Sequence, residues 1–241
     1  MKYLAFTSMD QKYYEHCGRA MLRSYKKYWS HLMSLHVYNE DNFTIKVKTV
    51  NTLGWSLGDA YNNFQSRHKN DRVKTFAKKG FPIIHAMENL SISAERLIWI
   101  DADVIIRAVI PQQLLDLISP DDTLSTHFSV WHEKDGITYH SCETGFFILN
   151  TTHPGYKEFC DTYKDIYHND RIEGLRRFYD GEVYGKTVEL MEAKGHKMLN
   201  LNPGRHKTPI SRSVVAPYIT HYKAGLKDNV DFSKFEEKDE I

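Results

Sequence analysis

Two aspartates at the end of an apolar run constrain the fold of this chain more than any other feature. Residues 96–106 read RLIWIDADVII, so Asp101 and Asp103 follow four consecutive apolar side chains. A short, uninterrupted apolar run is typical of a parallel strand that helices cover on both faces. Ionised carboxylates are costly to remove from water unless positive charge compensates them, and a divalent cation compensates two at once. The sequence therefore predicts a metal site at the end of this strand.

The spacing alone is weak evidence, because roughly one Asp-x-Asp triplet is expected by chance in a chain of this composition. The alternative is a pair of turn residues whose carboxylates cap loop backbone. A turn can follow any segment, so the capping explanation does not account for the buried strand before Asp101. That strand is more informative than the spacing of the two aspartates. The context favours the metal site.

Strands and helices alternate along the chain. Periodicity and turn residues predict strands over 2–7, 35–38, 44–50, 96–106, 146–150, 198–201 and 218–220. They predict helices over 59–67 and 183–194, a helix capped by Asp10, and helices that begin at Pro82, Pro111 and Pro154. This order predicts an α/β fold with a mostly parallel sheet and helices on both faces. Ligands bind beyond the carboxyl ends of strands in such sheets, where the two aspartates are expected.

Composition limits the class of protein. No linker or fixed-period repeat divides the 241 residues, so we expect one domain over 1–235 and a charged tail over 236–241. Thirty-two basic against thirty-one acidic residues give a net charge of +1, which argues against nucleic acid or an anionic membrane as partner. The apolar stretch near the start is too short for a membrane span, so we expect a soluble chain without stable membrane insertion. Three unpaired-looking cysteines favour a reducing, cytoplasmic compartment.

A late histidine is the best candidate for a third ligand. Carboxylate oxygens favour Mg²⁺ or Mn²⁺, and Mn²⁺ also accepts a nitrogen ligand. His221 ends a predicted strand, and Lys223, Gly225 and Lys227 follow it. A lone histidine is more often structural, but two lysines and a glycine would let ammonium and backbone groups approach a diphosphate. These residues predict a phosphate ester or diphosphate as substrate.

The motifs together resemble a known family. The apolar strand ending in Asp101-Ala102-Asp103, the segment ETGFFILN at 143–150, and His221 with Lys227 resemble the metal-dependent, nucleotide-sugar glycosyltransferases of the GT-A fold. The resemblance implies a single, Rossmann-like GT-A domain. It also implies that Asp101 contacts ribose or metal, Asp103 chelates the metal, His221 completes the coordination and Ala102 contacts the donor.

The same resemblance implies further donor contacts. Residues at the end of the first strand would line the nucleotide pocket, a nearby tyrosine would stack on the base, and a cation before the aspartates would reach the diphosphate. The matching positions are Thr7, Ser8, Tyr13 or Tyr14, Arg72 or Lys79, Thr144, Gly145, Gly225 and Lys227. Each also has a structural explanation: strand-end turns for the hydroxyl residues, a solvated surface for the cations, and a strand-start turn for Gly145.

Three carboxylates outside the aspartate pair are candidates for the sugar chemistry. Asp180, Glu182 and Glu143 would position the sugar or act on the acceptor hydroxyl, although Asp180 would equally serve as a helix N-cap. One retaining branch of the fold ends in His-x-x-Gly-x-x-Lys-Pro-Trp. Here the glycine is shifted to 225 and Asp228-Asn229 replace Pro-Trp, while the Lys227 spacing is kept. The sequence does not choose between retention and inversion.

The expected function is transfer of a hexose from a nucleoside-diphosphate sugar, of the UDP-glucose or GDP-mannose type, to a glycan or glycoprotein acceptor. The small size resembles enzymes encoded by large DNA viruses of algae, or bacterial ones, and a virus-encoded enzyme would work in the host cytoplasm. One alternative is a haloacid-dehalogenase-like phosphatase, in which Asp101 would be a phosphoryl nucleophile. Ile105 stands where that family has threonine, and the motif lies in mid-chain. The other is a non-catalytic sugar-nucleotide-binding module.

Overall fold

A computed structural model describes residues 1–47, 50–54, 58–134, 136–204 and 206–235 of the chain. The strands are β1 (Tyr3–Met9), β2 (Ser34–Asn39), β3 (Asn51–Gly54), β4 (Arg96–Ile100), β5 (Val104–Ile106), β6 (Ser125–His127), β7 (Ser129–Lys134), β8 (Ile137–Cys142), β9 (Phe146–Asn150), β10 (Met198–Asn200) and β11 (Ile219–His221). The α-helices are α1 (Gln11–Tyr13), α2 (Arg19–Tyr28), α3 (Gly58–Arg67), α4 (Asp71–Asn89), α5 (Gln112–Ile118), α6 (Tyr156–His168) and α7 (Asp180–Ala193), and a π-helical turn (Tyr14–Gly18) joins α1 to α2. The tail predicted over 236–241 lies outside the described residues.

A seven-stranded sheet in the order β10-β6-β9-β4-β1-β2-β3 forms the centre of the molecule. Strand β1 pairs in parallel with β2 and β4, β2 pairs in parallel with β3, and β10 pairs in parallel with β6. Strand β9 runs antiparallel between β4 and β6. The predicted α/β fold with a mostly parallel sheet is confirmed. That all of residues 1–235 belong to one domain stays a prediction.

Helices cover both faces of this sheet, as the apolar run of β4 predicts. Because side chains alternate across a strand, Leu97 and Trp99 face one hydrophobic core, which also contains side chains of α3, α4, α6 and α7. Ile98 and Ile100 face a second core with side chains of α2 and α5. All four side chains are at most 1% exposed, so β4 is held from both sides up to the point where Asp101 begins.

Two small sheets place side chains at the carboxyl end of β4. After Ile100 the chain turns through the two aspartates and continues as β5, which pairs antiparallel with β11 so that Val104 lies opposite His221. Strands β7 and β8 form an antiparallel pair that leads into the segment before β9. The pairing of β5 with β11 brings a residue from the end of the chain beside a turn in its middle.

The predicted strand over 44–50 is wrong. Residues 44–47 form no strand, because the Asn39 side chain bonds both the N–H and the carbonyl of Phe43 and turns the chain away from the sheet. Ile45 and Val47 pack on the second core as partly buried side chains, which accounts for their alternation with lysines. The strand that pairs with the outer side of β2, opposite β1, is β3, and residues 48–49 lie outside the described part.

Several helix and strand boundaries also differ from those predicted. The helix expected from Pro82 begins at Asp71, because the Asn70 side chain accepts the Arg72 N–H at 2.9 Å, and Pro82 lies inside α4. Helix α7 begins at Asp180, three residues before the predicted start, and strand β11 includes His221. Strands β6, β7 and β8 were not predicted, because their residues form no continuous apolar run. No helix within the described ranges is long and apolar enough to span a bilayer.

Candidate metal and donor site

Asp101, Asp103 and His221 meet at the carboxyl end of β4. The Nε2 atom of His221 lies 3.1 Å from Oδ1 of Asp103 and 3.6 Å from Oδ2 of Asp101. One donor atom from each of the three residues lies within 4.8 Å of the other two. The structure therefore brings together the three side chains that the sequence singles out as metal ligands.

The imidazole of His221 is held on its other side by Glu143. Its Nδ1 lies 2.7 Å from Oε1 of Glu143, and Lys223 donates to the second oxygen of that carboxylate at 2.6 Å. Burial alone would lower the pKa of His221, but its hydrogen bonds to Asp103 and Glu143 raise that pKa to about 9. Glu143 thus fixes the ring so that Nε2 faces the aspartates, as carboxylate partners of metal-bound histidines commonly do.

Gly145 lies against the same ring. A β-carbon built on it would lie 2.4 Å from the Nδ1 of His221, closer than real β-carbons approach other atoms. The resemblance implied that this glycine admits the donor sugar. That contact stays a prediction, since Gly145 lines the cavity, and the structure adds a second reason for glycine here, because it leaves room for the histidine.

The three candidate metal ligands fit a divalent cation of the Mg²⁺ or Mn²⁺ type. Neighbouring ligands of an octahedral ion with bonds of 2.0–2.1 Å lie about 3 Å apart. The distances from His221 Nε2 to the two carboxylates are close to that spacing. Burial raises the pKa of Asp101, whereas the hydrogen bond from His221 outweighs burial and lowers the pKa of Asp103. Two carboxylates and one imidazole offer the hard oxygens and the nitrogen that Mn²⁺ accepts.

Lys79 links the aspartate pair to helix α7. Its ammonium lies 2.6 Å from Asp101 and 2.8 Å from Asp180, and it donates to the carbonyl and hydroxyl of Thr144 at 2.9 and 3.1 Å. The indole of Trp99 donates to Asp101 at 2.7 Å. Burial would raise the pKa of Asp180, but Lys79 and the Thr144 hydroxyl hold it below its usual value. Of the two cations predicted to reach the donor, Arg72 and Lys79, it is Lys79 that lies at the site.

Lys227 approaches the site from the C-terminal segment. Its ammonium donates to the hydroxyl of Tyr13 and lies 3.5 Å from Oδ2 of Asp103. Gly225 lies on the same 3₁₀ helix, Ala224–Asn229. The lysine predicted to contact a diphosphate is thus placed beside the second aspartate.

A cavity of about 520 Å³ opens at this site. Among the predicted residues, those that line it are Ser8, Tyr13, Lys79, Asp101, Ala102, Asp103, Glu143, Thr144, Gly145, Asp180, Glu182 and His221. The structure places Thr7 and Arg72 elsewhere, since Thr7 is fully buried in β1 and Arg72 is exposed one helical turn before Thr75, and Lys227 lies beside Asp103 but outside the cavity lining. Tyr14 packs on Phe43 in the second core.

Sequence reasoning missed several charged groups in the cavity wall, and Glu40 is one that a sequence signal could have found. Glu40, directly after β2, lies 2.7 Å from the ammonium of Lys78, which also lies 3.1 Å from Asp10. Burial raises the pKa of Glu40 despite this lysine. The signal that could have found it is its place at the carboxyl end of a strand next to β1, since parallel strands end at one edge of the sheet.

Helix α7 delivers two carboxylates to the opposite wall. Asp180 is its first residue and Tyr179 is the N-cap, so the alternative role of Asp180 as N-cap is wrong. The Glu182 carboxylate accepts the N–H of Arg177 at 2.6 Å, and burial raises its pKa. A β-carbon on Gly181 would lie 2.3 Å from the Cys142 carbonyl oxygen, so α7 rests directly on β8.

Comparisons with known proteins identify the fold. No protein-family model matches the chain, and no curated protein sequence matches it. A glycosyltransferase involved in glycosylation of the major capsid of PBCV-1 superposes with a TM-score of 0.56 at 13% identity, over 95% of this chain and 100% of that one. The galactosyltransferase LgtC, solved with donor and acceptor sugar analogues, gives 0.55 at 11% identity, over 96% and 94%. Mouse xyloside xylosyltransferase 1 gives 0.50 at 10% identity, over 83% and 85%.

These similarities establish the fold class of the chain. The chain has the GT-A glycosyltransferase fold, as the resemblance of its motifs implied. Its cavity and its three metal-ligand candidates lie where the sheet of that fold ends, at the carboxyl edge of β4.

Proposed function

We propose that this chain is a metal-dependent glycosyltransferase that moves a hexose from a nucleoside-diphosphate sugar, of the UDP-glucose or GDP-mannose type, to a glycan or glycoprotein acceptor. The observation that carries the proposal is the convergence of Asp101, Asp103 and His221 in the lining of the cavity. The GT-A fold supports it, because the similar structures are glycosyltransferases.

Different residues of the chain would bind the metal, the diphosphate and the nucleoside. A Mn²⁺ or Mg²⁺ ion held by Asp103, His221 and Asp101 would act as a Lewis acid that stabilises the departing nucleoside diphosphate. Lys227, beside Asp103, would add a positive charge to the same diphosphate. Ser8 and Tyr13 line the cavity at the end of β1 and would contact the nucleoside. Because Lys79 already contacts Asp101 and Thr144, it would orient these two residues rather than bind the sugar donor directly.

Glu182 is the carboxylate that we assign to the acceptor. Asp180 is paired with Lys79, and Glu143 is paired with His221 and Lys223, so both are committed to holding the site together. Glu182 lines the cavity. Because its pKa is raised, it takes up a proton more readily than an ordinary carboxylate does. It would orient the acceptor hydroxyl or receive its proton.

The phosphatase alternative requires Asp101 to attack phosphorus. Its Oδ1 atom instead lies 2.6 Å from the Lys79 ammonium and accepts the Trp99 indole N–H, and its Oδ2 atom lies 3.6 Å from Nε2 of His221. A carboxylate held in this way is a poorer nucleophile, because hydrogen bonds stabilise its ionised ground state. The metal and donor site explains the same contacts without such a step.

The test combines donor binding with turnover. Thermal unfolding of the chain is measured with UDP and GDP sugars, with and without Mn²⁺, since a ligand that binds only the native state raises its stability. Release of nucleoside diphosphate is then followed for the best donor. We expect turnover that requires the metal and is lost in Asp103→Ala, with the exposed Asp122→Ala as matched control. Undiminished metal-dependent release by Asp103→Ala would overturn the site.

Two other outcomes separate the remaining possibilities. Tight donor binding without turnover against acceptor or water would establish a non-catalytic sugar-nucleotide-binding module. A phosphoryl group trapped on Asp101 would establish the phosphatase. For Glu182, we expect Glu182→Gln to lower transfer to the acceptor while donor binding is kept, and unchanged transfer by that variant would contradict its assignment.

A further inference from the structure

A second cluster of metal-ligating side chains lies behind the wall of the cavity. His127 ends β6, and His140 and Cys142 lie two residues apart on β8, so they project from the same face of that strand. One donor atom of each lies within 4.8 Å of the others, and Sγ of Cys142 lies 4.0 Å from Nε2 of His140. The cluster shares no residue with Asp101, Asp103 and His221.

A buried nitrogen without a partner is the second observation. His127 is 1% exposed, and its Nδ1 makes no hydrogen bond with any described residue. Burial lowers the pKa of His127, although the backbone of Ser125 favours the protonated ring. Its other nitrogen, Nε2, lies 3.1 Å from the Ser129 hydroxyl. A buried polar atom is costly to leave unpaired, and a bound ion would satisfy it.

We propose that His127, His140 and Cys142 form a second metal site, selective for a borderline or soft ion such as Zn²⁺. Thiolate and imidazole favour such ions, whereas the two aspartates of the donor site favour Mg²⁺ or Mn²⁺. A tetrahedral Zn²⁺ with bonds of 2.0–2.3 Å places neighbouring ligands about 3.3–3.8 Å apart. The 4.0 Å spacing between Cys142 and His140 needs only a small closure.

The chemistry of loading is simple. Zn²⁺ forms a bond to the sulfur of Cys142 as the thiol proton leaves to solvent, and the two imidazoles bind through unprotonated nitrogens. Three protein ligands leave a fourth position for water. Cys142 is also one of the residues that line the cavity of the donor site.

The test uses the full chain, stripped of metal, with Co²⁺ as a spectroscopic substitute for Zn²⁺. We expect one equivalent of Co²⁺ to give a thiolate-to-cobalt charge-transfer band, which Zn²⁺ abolishes by displacement. Cys142→Ser should lose the band, and Cys160→Ser, which removes a cysteine outside the cluster, should keep it. Asp103→Asn should also keep it, because that substitution affects the other site alone. Failure of the glycosyltransferase proposal would leave these results unchanged.

A second variant keeps the test decisive if Cys142→Ser does not fold. His140 is only partly buried, so His140→Gln should fold and weaken Zn²⁺ binding by at least ~100-fold, the upper end of what loss of an outer-shell partner costs. Zn²⁺ should raise the thermal stability of the native chain and not that of His140→Gln. Absence of the thiolate band in the native chain, or equal Zn²⁺ affinity in His140→Gln, would overturn the proposal.

Discussion

The backbone of Gly145 lies against the imidazole of His221, so close that a β-carbon would meet the Nδ1 atom at 2.4 Å. Gly145 directly precedes β9 and His221 ends β11, and Glu143 bonds the same nitrogen. A single added methyl group at this position would therefore displace the histidine from the two aspartates.

Gly145→Ala is expected to weaken Mn²⁺ binding and donor turnover by ~10–100-fold, the range seen when the support of a metal ligand is lost. The matched control is Gly174→Ala, because a β-carbon on Gly174 would meet nothing within 4 Å. Isothermal titration with Mn²⁺ measures the effect. Equal Mn²⁺ affinity in the two variants would show that His221 does not ligate the ion.

Lys79→Gln should destabilise the protein by about 3 kcal/mol, because it leaves Asp101 and Asp180 without their shared cation. The figure is at the lower end of the range for buried pairs, since the Lys79 side chain is 19% exposed. Urea unfolding in metal-free buffer measures it, and Lys186→Gln, in an exposed pair with Glu189, should cost much less. Added Mn²⁺ should recover part of the loss, because the ion would compensate Asp101.

Trp99→Phe removes a hydrogen bond to a charged group, from the indole to Asp101, and should cost about 2 kcal/mol. Trp29→Phe is its control, because that buried indole donates to the neutral carbonyl of Ala108. Both variants should be less stable in urea unfolding. Only Trp99→Phe should also bind Mn²⁺ more weakly, and a matching loss in Trp29→Phe would contradict the role given to the Trp99 indole.

Asp170→Asn tests the pH dependence of stability away from the site. The bidentate hydrogen bonds of Arg67, both at 2.9 Å, lower the pKa of Asp170 below its ordinary 3.8. A lowered pKa stabilises the fold above pH 3.8, and this contribution is lost as the pH falls through the lowered pKa. Because the aspartate is 36% exposed, the variant should lose at most about 1 kcal/mol at neutral pH.

Urea unfolding of the native chain and of Asp170→Asn over a series of pH values gives that difference. Asparagine keeps the left-handed backbone conformation of this position, where φ is 56°, so the comparison isolates the charge. The difference should vanish in strong acid. A difference that persisted there would point to packing rather than to the ion pair with Arg67.

The sequence could predict what is encoded locally. The buried run of β4 followed by Asp101 and Asp103 indicated the sheet edge, and the lysine spacing after His221 indicated a second part of the same site. These inferences needed only periodicity and residue chemistry. The GT-A fold followed from the order of those motifs along the chain, and the structural comparisons confirm it.

Other features depend on contacts between distant residues. A helix that starts at Pro82 leaves Arg72 and Lys79 outside any predicted element, so the sequence could not distinguish between them. In α4 as it is, Lys79 lies nearly two turns beyond Arg72 and reaches Asp101. The pair of Glu143 and His221 joins residues 78 positions apart, and no local pattern encodes it.

The contact of Gly181 with the carbonyl of Cys142 leaves no side chain between helix α7 and strand β8 to absorb a shift. The wall that bears Glu182 and the strand that leads to Glu143 therefore behave as one rigid piece. Under the proposed function, acceptors of different size would then be accommodated by lining residues on other elements, such as Glu40 after β2 and Thr75 on α4. Selection for a new acceptor would be expected to change those positions first and to leave the glycine of α7 in place.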